Sequence, residues 1–282
     1  MSHFKTRLVY LCISVLASMA MSLAHAVNSL QYKTVAPGIE IGDITLAANK
    51  NIADSVNFHV IRVNPALVHI SVVDVRYLSN PHDKNSMQVA YSLREVMRLI
   101  TPVAAINGGY TRSLIKPIPT GLILSEGKPT SKIINDSTKI RGVVCIHRDG
   151  RVAIDEISTI ATADCLSAIQ SGPMVIEKNG VNGIRKTQQA VKAIRSLVGI
   201  DQKGWMYLIQ TTSASLFDLA EILRPGGALN TELSAALNLD GDIDSGMMVR
   251  EENGTRIFGN VDAVIPSALV IHSLPYRARR QK

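Results

Sequence analysis

Short apolar segments, separated by turn residues, recur along this chain and are the strongest constraint on how it can fold. Residues 59–63 and 68–75 carry apolar side chains near every second position, and Asn64-Pro65 supplies the turn between them. Such alternation is typical of strands that are buried on one face. The same pattern predicts further short strands at residues 103–106, 121–124, 142–146, 152–154, 174–176, 197–200 and 206–210.

Three other segments have helical patterns. Residues 87–100 place apolar side chains on one face, with Ser86 as the expected cap and Pro102 preventing continuation. Residues 215–223 begin at Ser215 and end before a Pro-Gly-Gly sequence. Residues 231–237 are a further expected helix, which leads into a short strand at residues 237–239. Helices and strands do not alternate strictly, and no linker marks a boundary. We therefore expect one α+β domain, with mixed β-sheets flanked by helices.

The first 26 residues have the pattern of a secretory signal peptide. Lys5 and Arg7 precede an apolar stretch at residues 8–23, and Ala24-His25-Ala26 is a small-residue cleavage pattern. The alternative is an uncleaved membrane anchor, for which the apolar run is short. We expect residues 1–26 to be removed, residues 27–274 to form the folded domain, and the protein to be periplasmic or secreted with no stable membrane span.

The excess of basic residues lies mostly at the end of the chain. The sequence has 30 Lys and Arg against 23 Asp and Glu, a formal net charge of +7. Residues 275–282 are a basic tail, which either contacts an anionic lipid or polymer or is a solvated terminus. Because no basic groove with interleaved aromatic residues is present, we expect no nucleic-acid partner.

Two cysteines remain once the leader, which contains Cys12, is removed. Cys145 and Cys165 are an even pair in a compartment where disulfides persist, so we expect a disulfide between them. The alternative is two buried thiols. Metal binding by this pair is not expected, because the spacing is not CxxC and His147 is the single nearby histidine.

Three segments combine the end of a buried strand with glycine and a polar side chain. Backbone without a Cβ lets a ligand approach closely, and the strand fixes the neighbouring polar group. Each segment alone is also typical of an ordinary turn, so only the set is informative. The segments are Asn107-Gly108-Gly109-Tyr110, Ser171-Gly172-Pro173 and Asn238-Leu239-Asp240-Gly241.

In this order the three segments resemble the phosphodiester glycosidase family. Pro119-Thr120-Gly121 stands between the first two, and residues 195–201, which begin with Arg195, stand between the last two. The resemblance covers roughly residues 103–249. It implies hydrolysis of a sugar-1-phosphodiester, so the expected partner is a carbohydrate phosphodiester substrate.

The resemblance also implies roles for individual residues. Arg195 would bind the phosphate through its planar guanidinium. Asp240 would be the acid/base or nucleophilic carboxylate, and Asn107 would donate to the phosphate or to a sugar hydroxyl. The other positions expected to contact substrate are Gly108, Gly109, Tyr110, Thr120, Gly121, Ser171, Gly172, Gly241 and Ser245.

The segment after Asp240 departs from the family pattern. The family commonly continues after Asp-Gly with another glycine and two serines, whereas residues 241–246 here read Gly-Asp-Ile-Asp-Ser-Gly. The extra carboxylates would repel a phosphate unless a cation or an arginine intervenes. Asp240, Asp242 and Asp244 have the spacing of calcium-loop positions 1, 3 and 5, with Glu251 at position 12, although Ser245 replaces the glycine needed at position 6. A Ca²⁺ ion held by the three aspartates is therefore one hypothesis.

Two classes of function are consistent with these patterns. One is a secreted hydrolase that cleaves a sugar-1-phosphodiester in a glycan or glycoconjugate. The other is a non-catalytic, calcium-dependent protein that binds carbohydrate or phosphate on the same scaffold. Retention of Asn107, Arg195 and Asp240 together favours the enzyme.

The signal-peptide pattern predicts export and cleavage. The mature protein is expected to begin near Val27 and to be found outside the cytoplasm, because the Ala-x-Ala pattern ends at Ala26. Amino-terminal sequencing of the protein from fractionated cells checks this expectation. A soluble protein that retains Met1 would contradict it.

Overall fold

The computed structural model describes residues 30–48, 54–78, 91–113, 117–135, 137–227, 229 and 231–275. The expected signal peptide lies outside the described residues, as do residues 276–282 of the basic tail. Ser86 and residues 87–90, the expected start of the first helix, also lie outside them. Within the described ranges, no helix has the length and apolar character needed to cross a membrane.

The described strands form three sheets in which all neighbouring strands are antiparallel. The eight-stranded sheet, here called the large sheet, runs β1 (Lys33–Ala36), β2 (Ile39–Leu46), β3 (Val56–Val63), β14 (Met206–Ser215), β13 (Lys192–Asp201), β15 (Leu233–Asn238), β11 (Met174–Glu177) and β12 (Val181–Asn182) in spatial order.

The other two sheets have five strands each. The disulfide sheet runs β7 (Lys128–Ser131), β6 (Ile123–Ser125), β10 (Cys165–Ser171), β8 (Gly142–His147) and β9 (Val152–Glu156) in spatial order. The C-terminal sheet runs β17 (Gly254–Gly259), β16 (Gly246–Glu251), β5 (Ala104–Asn107), β18 (Ser267–Ser273) and β4 (Val68–Asp74).

A shared hydrophobic core joins the three sheets. Val198 and Leu237 of the large sheet belong to the same buried cluster as Ile106 and Leu269 of the C-terminal sheet and Ile169 of the disulfide sheet. Burial of such side chains is the main favourable contribution to folding. The sheets therefore hold one another, and the ends of their strands are fixed relative to each other.

Two α-helices are present among the described residues, and each covers one sheet. Helix α1 (Leu93–Ile100) begins with a capping box, in which the Ser92 hydroxyl accepts from the Glu95 backbone and the Glu95 carboxylate accepts from the Ser92 backbone. Leu93, Val96 and Met97 are buried in a cluster with residues of the C-terminal sheet.

Helix α2 (Leu216–Leu223) covers the large sheet. Ser215 caps it by accepting from the backbone N–H of Asp218 at 3.0 Å, as its sequence predicts. Leu219, Ala220 and Leu223 are buried in a cluster with residues of the large sheet.

Single 3₁₀ turns occur at Pro65–Leu67, Val75–Tyr77, Thr162–Asp164, Lys178–Gly180, Lys186–Gln188 and Asp242–Asp244.

The strand predictions are confirmed within a few residues at each end, but two helix predictions need correction. The first helix begins at Leu93 with Ser92 as its cap, not at residue 87. Residues 231–237 are not a helix, since Leu233–Asn238 forms β15 between β13 and β11. Tertiary pairing on both sides outweighs the helix propensity of its Ala-Ala-Leu sequence.

The fold is therefore richer in strand than the expected α+β arrangement. Segments that the sequence pattern did not predict, such as β2, β10, β17 and β18, are also strands. The helices flank the sheets as expected, one on the large sheet and one on the C-terminal sheet.

The predicted disulfide between Cys145 and Cys165 is present. It links β8 to the first residue of the adjacent strand β10, and the two Cα atoms are 5.4 Å apart. Both residues are buried beside Leu122, Leu124 and Val143.

Removal of the disulfide should lower the free energy of unfolding by about 3 kcal/mol, because the bond closes a loop of about 20 residues in the unfolded chain. The double variant Cys145→Ser/Cys165→Ser tests this by urea unfolding, with the reduced wild-type protein as a control. Equal stability of the double variant and the oxidised wild type would contradict the expectation.

Candidate active site

The ends of β5 and β15 lie together, although more than a hundred residues separate them in sequence. Asn107 ends β5, and Asn238 ends β15. Two residues beyond β15, the backbone N–H of Asp240 donates to the carbonyl of Gly108 at 3.0 Å. The first and third glycine-containing segments of the sequence therefore form one structure.

Asn107 is buried, and its amide is fully hydrogen-bonded inside the protein. Its Nδ2 donates to the carbonyls of Asp240 at 2.8 Å and Gly108 at 3.2 Å. Its Oδ1 accepts from the Ser196 hydroxyl at 2.6 Å and from the Gly246 backbone at 3.0 Å. Both amide protons are thus used inside the protein. These contacts favour a role for Asn107 in positioning the Asp240 backbone over the expected donation to a phosphate or sugar.

The hydroxyl of Ser245 is also committed inside the protein. It lies 2.8 Å from the hydroxyl of Ser196, and both residues are fully buried. Ser245 was expected to contact substrate, but this burial places it beneath the site. Ser196 was not predicted as a site residue; its position directly after Arg195 is the sequence signal that could have found it.

Tyr110 connects the second segment to the other two. Its hydroxyl donates to the carbonyl of Gly172 at 2.7 Å and accepts from Nδ2 of Asn238 at 2.7 Å. Asn238 is fully buried, and it too was missed as an individual site residue. It stands two positions before Asp240, a spacing that brings residues to the same side of an extended chain.

The side chain of Ser171 lies against Gly109, the residue before Tyr110. A Cβ atom built on Gly109 would be 3.5 Å from the Ser171 hydroxyl oxygen. This hydroxyl is fully buried and has no hydrogen-bond partner among the described residues. Buried polar groups are nearly always paired, so the Ser171 hydroxyl is suited to a small ligand group or a bound water.

The glycines of these segments are required mainly by close packing. A Cβ on Gly108 would collide with Ser267, and one on Gly172 would collide with the backbone of Lys139. The Gly108 N–H donates to the Ser267 carbonyl at 2.8 Å, so it is not the free donor that the sequence suggested.

Thr120 and Gly121 close the loop that begins at Tyr110. The Thr120 N–H donates to the Tyr110 carbonyl at 2.7 Å. Gly121 has a positive φ of 98° and packs against the side chain of Gln170. These two residues support the position of Tyr110.

Arg195 lies beside the loop that follows Asp240. A Cβ on Gly241 would be 3.8 Å from Nη1 of Arg195 and 2.8 Å from the carbonyl of Ile194. The guanidinium makes long hydrogen bonds of 3.4 Å to the carbonyls of Val191 and Ala214. None of the ion pairs between described residues includes it. Burial lowers the pKa of Arg195, and the nearby groups Tyr110 and Asp242 partly oppose this. Because no carboxylate pairs with it directly, this half-buried arginine is available to bind an anion.

Comparison with known proteins agrees with this geometry. The sequence profile of the phosphodiester glycosidase family matches residues 101–272, which contain all the site residues described above. The chain belongs to the phosphodiester glycosidase family. Among the curated proteins, none matches this sequence.

Solved structures with similar folds include one member of this family. The catalytic domain of zebrafish N-acetylglucosamine-1-phosphodiester alpha-N-acetylglucosaminidase, auto-inhibited by its pro-peptide, has a TM-score of 0.60 and 17% identity over 89% of this chain and 90% of that chain. A hypothetical protein from Synechocystis has a TM-score of 0.58 and 14% identity over 87% of this chain and 64% of that chain. At these identities the likeness shows the fold.

Among the acidic side chains at the candidate active site, Asp240 has the pKa that is shifted furthest from its usual value. Burial, followed by the nearby charge of Asp244, raises the pKa of Asp240 from 3.8 to about 7. The backbone N–H groups of Gly241 and Thr111 donate to this carboxylate and partly oppose the rise. Burial and the charge of Asp240 also raise the pKa of Tyr110 to about 12, so its hydroxyl stays protonated at neutral pH.

The three aspartates do not form the calcium site that the sequence suggested. Asp242 is exposed in the 3₁₀ turn, whereas Asp244 is buried, and burial raises the pKa of Asp244. Glu251, the expected twelfth ligand, lies in β16 and pairs with Lys33 at 3.6 Å. In the part of the chain that the structure describes, no group of three His, Cys, Asp or Glu side chains could hold a metal ion.

Two surface cavities lie away from these residues. One of about 460 Å³ is lined by Tyr32, Arg62 and Trp205 at the opposite ends of the large-sheet strands. The other, of about 490 Å³, is next to the disulfide and is lined by Leu124 and Arg148. Neither contains Asp240 or Arg195, so the candidate active site rests on the convergence of polar groups at the strand ends.

Ionisation of Asp240 should lower the free energy of unfolding as the pH rises from about 4 to about 7, against the opposite contribution of His272, whose pKa burial lowers to about 4. In this window the folded state holds the Asp240 proton more tightly than the unfolded state does, so ionisation opposes folding. Asp240→Asn removes this titration, and the contribution of Asp240 to the pH dependence should be absent in that variant. Urea unfolding across the pH range measures the effect, with the exposed Asp164→Asn as a control. The same pH dependence in wild type and Asp240→Asn would refute the interpretation.

Proposed function

We propose that this protein is an exported hydrolase that cleaves the bond between a sugar and the phosphate of a phosphodiester in a glycan or glycoconjugate. The observation that carries the proposal is that Arg195, which makes no direct ion pair among the described residues, lies against Gly241, the residue that follows the half-buried Asp240 with its raised pKa. A phosphodiester has an anionic group that the arginine would bind and an adjacent sugar carbon at which a carboxylate would act.

In the proposed reaction, water replaces the phosphate at the sugar carbon. The bond between that carbon and the phosphate oxygen breaks, and a new bond to the water oxygen forms. Asp240 would accept the proton of the attacking water, and the phosphate monoester would leave with the bonding electron pair. Because a phosphate is a good leaving group, a base of raised pKa is more useful here than a strong acid.

The surrounding residues support this assignment through position and charge. Asn107 fixes the backbone of Asp240, and Tyr110 holds the Gly172 and Asn238 groups at the side of the site. The Ser171 hydroxyl has no hydrogen-bond partner among the described residues and is fully buried, so it would act on the substrate through a bound water. The Cys145–Cys165 disulfide supports the export part of the proposal, because such bonds persist outside the cytoplasm.

Substitution of Asp240 and Arg195 should separate their roles. Asp240→Asn should reduce kcat by about 10²–10⁴-fold while largely sparing binding, because the shape is kept and the base is lost. Arg195→Ala should lower kcat/KM by roughly 10- to 100-fold, since it removes charge-assisted hydrogen bonds, and Arg195→Lys should restore only part of the loss. Release of N-acetylglucosamine from a simple N-acetylglucosamine-1-phosphodiester measures both effects.

The control for these variants is Asp164→Asn, which makes the same chemical change at an exposed position of the 3₁₀ turn before β10. Activity equal to wild type in both Asp240→Asn and Arg195→Ala would exclude the assignment. The dependence of kcat/KM on pH adds a second criterion. If Asp240 is the base, the rate should rise as the pH increases through about 7. A rate that falls through this range would assign it the role of acid instead.

A non-catalytic binding protein is the second candidate function. The changed residues after Asp240 favour it, because a protein can keep its fold and lose the reaction when residues beside a catalytic carboxylate change. Binding of the phosphodiester by the wild-type protein, without release of sugar and with or without calcium, would support this alternative.

A further inference from the structure

Four exposed aliphatic side chains lie on segments next to the candidate active site. Ile118, Val191, Ile194 and Ile243, here called the aliphatic rim, have exposed fractions of 42%, 62%, 38% and 61%. Single exposed aliphatic residues are ordinary on a protein surface. The four residues of the rim share one feature: each lies on a segment joined, by hydrogen bonds or along the chain, to Arg195, to Asp240 or to Thr111, which donates to Asp240.

Ile118 lies on the segment that supports Asp240 from one side. Its carbonyl accepts from the backbone of Arg112 at 2.9 Å, and the facing residue Thr111 is bridged to Pro119. The backbone N–H of Thr111 donates to the carboxylate of Asp240. Ile118 is therefore fixed next to the residue that holds the proposed base.

The other three residues adjoin Arg195 and the turn after Asp240. Val191 accepts a hydrogen bond from Arg195 through its carbonyl, and Ile194 directly precedes Arg195 in β13. Ile243 is the middle residue of the 3₁₀ turn Asp242–Asp244, and Asn260 holds its carbonyl at 2.8 Å. The hydrogen bonds fix the backbone while the side chains remain exposed to solvent.

This arrangement places exposed apolar surface on the segments next to Arg195, together with the exposed charges of Arg112 and Asp242. A simple sugar or a polar glycan would leave the four aliphatic side chains in water, with no gain from their position. An alkyl chain attached to an anion matches both features, because the anion pairs with Arg195 and the chain removes the aliphatic surface from water.

We propose that the aliphatic rim binds an apolar alcohol esterified to the phosphate, so that the substrate is a sugar phosphodiester of a lipid-like alcohol. The inference rests on the proposed function for the identity of the reaction, but it concerns a different part of the substrate. Hydrolysis would release the free sugar and the phosphate monoester of the alcohol. The rim would contact the alcohol and not the sugar.

A binding measurement tests the rim without requiring turnover. Calorimetric titration compares dimethyl phosphate with hexyl methyl phosphate, two sugar-free diesters with the same charge. The hexyl diester should bind at least tenfold more tightly to the wild-type protein, because burial of even a few methylene groups has this effect. Ile243→Ser and Ile194→Ser should each remove most of that gain.

Val181→Ser is the matched control. Val181 has an exposed fraction of 57% but lies in the edge strand β12, outside the aliphatic rim. It should keep the full preference for the hexyl diester. Because Val181, Ile194 and Ile243 are all exposed, none of these variants is expected to unfold the protein.

Turnover gives a second readout. Methyl and hexyl esters of N-acetylglucosamine-1-phosphate should differ by at least tenfold in kcat/KM with the wild-type protein, and Ile243→Ser should reduce this ratio towards one. A preference for the hexyl diester in binding, lost in Ile243→Ser but without any turnover, would support the rim and refute the proposed hydrolase.

Three results would overturn the inference. The first is equal binding of the methyl and hexyl diesters. The second is a hexyl preference that Ile243→Ser and Ile194→Ser both retain. The third is a dimer, seen by sedimentation, that Ile243→Ser dissociates without any chain-length preference, since the rim would then be an interface between two copies of this chain.

Discussion

The candidate active site depends on the four hydrogen bonds made by the buried side chain of Asn107. They connect the end of β5 in the C-terminal sheet with Ser196 of the large sheet, with Asp240 beyond β15 and with Gly246 at the start of β16. A buried amide that loses one partner leaves a polar group unsatisfied, at a cost of about 1–3 kcal/mol. The network therefore keeps two sheets in one register at the point where the proposed catalytic groups lie.

The same network explains how Asp240 can be held in place while the pKa of its carboxyl group is raised. Asp240 is held by its backbone, through Asn107 and Gly108, so its side chain does not have to make the contacts that position it. The carboxylate can then keep a pKa of about 7, which a fully hydrogen-bonded carboxylate would not have. The raised pKa of Asp240 means that its ionised form destabilises the fold locally. The hydrophobic core shared by the three sheets compensates for this loss of stability.

The sequence predicted the strands well because their signal is local. Alternating apolar residues identified β3, β4 and both strands of the β13–β14 hairpin, and the cap of α2 was read correctly from Ser215. It failed for β15, where an alanine-rich segment with good helix propensity is held between two strands. The strand conformation of β15 depends on pairing with β11 and β13, which are distant in sequence, so a local pattern cannot predict it.

The candidate active site, like the fold, was predicted only where the signal is local in sequence. The sequence identified the segments that converge, because strand ends with glycine and polar residues are visible in it. It assigned Asn107, Gly108 and Ser245 to the substrate, whereas their donors are used inside the protein. Hydrogen-bond capacity can be read from a residue type, but whether it is already used depends on contacts such as those of Ser196 and Ser267.

The departure of this chain from the family pattern has two physical effects that act in different directions. Asp244 adds a carboxylate near Asp240, whose charge raises the pKa of the proposed base and would weaken the binding of a phosphate. Ile243, in the same turn, adds exposed apolar surface at the edge of the site. A substrate with an apolar alcohol would regain through burial of that alcohol part of the affinity that the added charge removes. The two changes are therefore consistent with one substrate, in which the phosphate is bound less tightly and the alcohol more tightly.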